Sequence, residues 1–133
     1  MEALVKIRED APPTRATTAA ELDEVIRLAS EEARARGMLN VVFIEGRDGN
    51  TLMMVVGGKE TALGFTYGYR KASYHESRGA AAADNPVLTC YASFTHPTTF
   101  SRRCVIPLEE GMRALHEFAE TGALPTCVSW AEA

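Results

Sequence analysis

Apolar positions along the chain fall into two periods. Leu22, Val25, Ile26, Ala29 and Ala33 recur at helical spacing and form one stripe. On the opposite side, Asp23–Arg27, Arg27–Glu31 and Glu32–Arg36 stand four residues apart, the spacing at which charges meet on a helix. Thr18 followed three residues later by Glu21 is a capping box, and Gly37 supplies a left-handed C-cap. Leu108, Met112, Leu115 and Ala119, with Phe118 beside them, predict a second helix. Pro107 suits its first turn, Glu109 and Glu110 its positive dipole end, and Gly122 its termination. Gly111 costs that helix about 1 kcal/mol relative to alanine; a close approach to a sheet would explain its presence.

The remaining apolar segments read as strands: residues 3–8, 39–44, 51–56, 62–69, 87–94, 104–106 and 126–130. Asp48-Gly49 between the second and third is a hairpin turn signal. Leu63, Phe65, Tyr67 and Tyr69 share one face by the period of two. Residues 70–86 carry no period and are expected to form a surface loop, and residues 96–103 a connector. The pattern predicts an α+β fold: one domain over residues 1–133, built as a single antiparallel sheet with two helices packed on one face.

The chain has 133 residues, 46% hydrophobic and 24% charged, so a self-sufficient core is expected and disorder is excluded. The net charge of −4, from 14 basic and 18 acidic residues, argues against direct nucleic-acid binding. Apolar runs are too short to cross a membrane, and no signal peptide is visible at Met1 to Lys6. The signs are uneven: residues 61–104 hold 5 basic and 2 acidic side chains, and residues 105–133 hold 1 and 5. Such an asymmetry is either a solvated surface or a means of steering a charged protein partner.

Catalytic chemistry finds little foothold. Cys90, Cys104 and Cys127 are expected to be buried, reduced thiols, since none begins a helix and a nucleophile needs a base within reach. His116 reads as a solvated or paired side chain, and Trp130 as packing over a helix. No C-x2-C or H-x3-H pair marks a zinc site, and Gly57-Gly58-Lys59 lacks the spacing of a phosphate loop. No cofactor is expected. Two other classes remain open: a small cysteine-dependent enzyme and a self-associating structural module. Tyr74 and His75, in the expected loop, suit a protein contact, because tyrosine offers a large apolar body with a polar tip.

Two stretches carry a family resemblance: Val56-Gly57-Gly58 with Leu63, Tyr67, Tyr74, Ser77 and Gly79, and Val105-Ile106-Pro107 with Ala114-Leu115, Glu117-Phe118, Thr121-Gly122, Leu124-Pro125-Thr126 and Val128-Ser129-Trp130. Over roughly residues 39–130 the chain resembles the first-numbered immunity-protein family of bacterial polymorphic toxin systems. That resemblance implies a cytoplasmic, non-enzymatic protein, monomeric when free. It would bind and neutralise a cognate toxin domain, often of deaminase type, made in the same cell. Candidate toxin-binding residues are Tyr69, Tyr74, His75 and Glu76, followed by the acidic turn residues Glu45, Asp48 and Glu60.

Overall fold

The computed structural model describes residues 1–8, 11–68, 74–79, 88–92 and 96–132. Helix α1 (Ala19–Ala35) buries Leu22, Ile26, Ala29 and Ala33, and Thr18 caps it by accepting the Glu21 N–H. The reciprocal half of the box lands one residue early: the Glu21 carboxylate accepts the Thr17 N–H at 2.7 Å and the Thr17 hydroxyl at 2.8 Å. Helix α2 (Leu108–Thr121) buries Gly111, Ala114, Leu115, Phe118 and Ala119, and Gly122 ends it at φ 72°. Gly111 is where the helix meets the sheet; a Cβ there would lie 2.4 Å from Thr61 Cγ2.

The strands are β1 (Ala3–Lys6), β2 (Thr14–Ala16), β3 (Asn40–Gly46), β4 (Thr51–Val56), β5 (Glu60–Thr66), β6 (Tyr74–Arg78), β7 (Leu88–Ala92), β8 (His96–Phe100), β9 (Val105–Pro107) and β10 (Ser129–Glu132). The antiparallel path runs β10-β6-β5-β4-β3-β1-β2, while β9 pairs with the start of β5. The β7–β8 hairpin joins β3 through one parallel bridge, Asn40 to Tyr91. The fold is thus the expected α+β arrangement of two helices and an antiparallel sheet.

Residue parity on β3 and β4 divides the core. Val42, Ile44, Leu52, Met54 and Val56 point to the helices, where they join Leu63, Phe65 and the apolar stripes of α1 and α2. Val41 and Val55 point the other way and pack with Ala62, Phe100 and Cys104. Strands β3 and β4 therefore read as near-continuous apolar runs because both their faces are partly covered.

Several sequence expectations need correction. Within the expected loop 70–86, Tyr74–Arg78 is a strand paired to β5 and β10. Its residues are polar, so no apolar period announces it. Buried Ser77 holds it in place by accepting the Leu63 N–H at 3.0 Å and donating to the Cys104 carbonyl at 2.7 Å. Within the expected connector, His96–Phe100 is strand β8, tolerating Pro97 as a strand paired on one side does. The short edge strand β2, paired to β1, has no apolar period to mark it. The first strand ends at Lys6 rather than Arg8, and the last begins at Ser129 rather than Thr126. Trp130 lies in β10, where its indole N–H donates to the Pro125 carbonyl and its ring sits 6.3 Å from Phe65.

Candidate partner-binding face

Among the described residues, the sheet face turned away from the helices is only partly roofed. The β7–β8 hairpin and the 3-10 turn Arg102–Cys104 bring Phe100 and Cys104 over Val41, Val55 and Ala62. Beyond that roof, Leu4, Lys6, Phe43, Thr51, Met53 and Tyr74 are half-buried and Glu45 is exposed. Register puts them side by side. One row runs Leu4, Glu45, Thr51, Thr66, Tyr74, and the next Lys6, Phe43, Met53, Gly64, Glu76. A cavity of about 400 Å³ opens among Leu4, Lys6, Pro13, Phe43, Glu45 and Thr51. A smaller one of about 140 Å³ lies on the other side of Phe43, lined by Phe43, Met53, Tyr74 and the β8 residues Thr98 and Thr99.

Of the candidate residues, Glu45, Tyr74 and Glu76 come together on this open face, with the Tyr74 hydroxyl 3.4 Å from the Glu76 carboxylate. His75 does not. It pairs across β5 with Phe65, so it faces the helices, and its ring lies 6.5 Å from Phe65 and 5.9 Å from Tyr67. Glu60 opens β5 and pairs with Arg102 at 3.0 Å. Asp48 sits in the β3–β4 turn, beside Gly122 at the end of α2. Tyr69 lies outside the described residues. Leu4, Lys6, Phe43 and Met53 were not singled out in the sequence. For Phe43 and Met53 the signal is that β3 and β4 are apolar on both faces; Leu4 and Lys6 of β1 carry none.

Charge sorts by layer. Helix α1 carries five acidic residues against two basic, and α2 four against one. Much of this is paired internally: Arg27 with Glu24 and Glu31, Arg36 with Glu32, and His116 with Asp23 across the two helices at 2.7 Å. His116 is thus a paired side chain, as its sequence context indicated.

The described thiols are poorly suited to nucleophilic attack. Cys104 is buried, and burial followed by the nearby Glu76 pushes its thiol up. Cys127 is exposed, contrary to the expectation of burial, because it precedes β10 instead of lying within a strand. Partial burial of its sulfur and then Glu117 push it up as well. Among the described residues no His, Cys, Asp and Glu side chains gather as a metal site, and no helix is long and apolar enough to cross a membrane.

The family described as Immunity protein Imm1 matches residues 10–132. The chain belongs to the Imm1 family. No curated protein matches it. The Imm1 match takes in both helices and every strand except β1, including the parts of β3, β4 and β6 that build the open face.

Proposed function

We propose that this Imm1 protein neutralises a cognate toxin by binding it, without chemistry of its own, in the cytoplasm of the cell that makes both. Family membership across nearly the whole chain carries this reading. The site fits it: a half-exposed apolar face suits protein contact, and burial pushes both described thiols up, away from the reactive thiolate form. The deaminase-type partner follows from the resemblance at Val105-Ile106-Pro107 through Trp130. A toxin that modifies nucleic acid needs a basic cleft, and a net charge of −4 would speed association with it by steering. The interface is assigned to Tyr74, Glu76 and Glu45 with their open-face neighbours.

The test is direct binding between this protein and the toxin domain encoded beside it, followed by a toxin activity assay. Nanomolar affinity, about −12 kcal/mol, with loss of toxin activity is the expected result. Tight binding without loss of activity would separate partner recognition from neutralisation. No binding would sink the proposal.

A further inference from the structure

On the open face, Leu4 pairs with Glu45 and Lys6 with Phe43. Successive same-face pairs in an antiparallel ladder make a four-cornered unit, with diagonal neighbours roughly 7–8 Å apart. Here the charges, Lys6 and Glu45, occupy one diagonal and the apolar side chains, Leu4 and Phe43, the other. All four line the cavity of about 400 Å³. Neither Lys6 nor Glu45 has an ion pair among the described residues, whereas Glu2 pairs with Arg15 and Glu60 with Arg102.

We infer that this unit is the specificity-determining contact, and that it receives a toxin loop lowering an apolar side chain onto Leu4 and Phe43. A basic group on one side of that side chain meets Glu45, and an acidic group on the other meets Lys6. The inference rests on the toxin-neutralising reading above and adds to it the place and chemistry of recognition. Complementarity of two opposite charges fixes the direction in which the loop lies, because reversing it sets like charges together. Strand addition along this side is limited to the three residues of β2. The β1 edge is occupied by β2, and Pro12 and Pro13 before β2 have no N–H to offer a further strand. Recognition here therefore falls to side chains standing on the face.

The test uses Glu45→Lys and Lys6→Glu, with Glu120→Lys as the control. Glu120 is exposed on α2, and its reversal changes net charge by the same amount as that of Glu45. Affinity for the neighbouring toxin domain is measured for each folded variant. Both open-face reversals are expected to weaken binding at least tenfold, although they shift net charge in opposite directions; Glu120→Lys should change it less than threefold. Steering by overall charge gives a different result, since Lys6→Glu and Glu45→Lys would then move affinity in opposite senses. That outcome, or equal effects of Glu45→Lys and Glu120→Lys, overturns the inference while leaving neutralisation intact. Failure of the wild-type protein to bind overturns both. Glu45→Gln and Lys6→Met serve in place of any reversal that does not fold, and each is expected to weaken binding at least threefold.

Discussion

Asn50 donates from Nδ2 to the Gly122 carbonyl at 2.7 Å, tying the β3–β4 turn to the end of α2 across 72 residues of chain. Its side-chain oxygen also accepts the Gly68 N–H at 3.0 Å, so one buried amide holds the exits of three elements. Asn50→Ala leaves a buried carbonyl without its donor and removes the second bond. An unsatisfied buried group costs about 1–3 kcal/mol, so the expected loss is about 2 kcal/mol or more in urea unfolding. Asn50→Asp should be no better, because it sets a carboxylate oxygen against the Gly122 carbonyl. A loss below about 0.5 kcal/mol for Asn50→Ala would show that water replaces the amide at no cost.

Gly111 offers a test of packing against propensity. Alanine is the better helix former by about 1 kcal/mol, but its Cβ would meet Thr61 Cγ2 at 2.4 Å. Thr61 is fully buried and its hydroxyl donates to the Val55 carbonyl at 2.7 Å, so the methyl does not swing away freely. Overpacking of this kind costs roughly 1–3 kcal/mol. Gly111→Ala should therefore lower the unfolding midpoint. A raised midpoint would mean that α2 shifts outward without loss of contact.

The N-terminus of α1 gives a smaller effect. Thr18 Oγ1 accepts the Glu21 N–H at 3.1 Å, and Thr18→Ala should cost about 1 kcal/mol, with Thr18→Gly losing only a few tenths. No loss of stability in Thr18→Ala would contradict a cap role for the hydroxyl.

What the sequence revealed follows from how far apart the deciding contacts lie. The α1 stripe, Thr18 and Gly37 act within a turn or two of one another, and so do Asp48 and Gly49. Strand β6 is different. Tyr74–Arg78 becomes a strand through Ser77, whose partners Leu63 and Cys104 are 14 and 27 residues away. Which way His75 points depends on its register with Phe65, and a run of polar residues carries no mark of that register. The open face was hidden for a related reason. Val41, Phe43 and Met53 look alike in the sequence, and only the placement of the β7–β8 hairpin decides which is roofed. Glu45 stands out in the sequence for its charge, yet its position beside Phe43 comes from strand pairing that no local pattern encodes.

The Glu117 carboxylate gathers the start of the final segment. It accepts from the Thr126 N–H at 2.6 Å, the Thr126 hydroxyl at 2.9 Å and the Cys127 N–H at 3.2 Å. Burial pushes this carboxyl up, but the hydrogen bonds from Thr126 and Cys127 together outweigh it and hold it below the ordinary value. A carboxyl depressed in the folded state stabilises fully above its unfolded-chain pKa, about 4.3. That contribution fades as pH falls through the lower folded value. Residues 126–128 should thus loosen in acid before the core does, and Glu117→Gln should abolish that pH dependence. Cys127 reports on the same contact. Its thiol is exposed but pushed up by partial burial and by Glu117, so at neutral pH it should alkylate more slowly than an unstructured cysteine. Removing the negative charge in Glu117→Gln should quicken the reaction. Hydrogen exchange at residues 126–128 across pH reads the first effect, and iodoacetamide rates at Cys127 near neutral pH, followed by mass spectrometry, read the second. A wild-type rate matching a free thiol, or one that Glu117→Gln leaves unchanged, would mean that Glu117 does not govern this thiol. A faster-than-free rate would revive nucleophilic chemistry at Cys127, against the non-enzymatic reading.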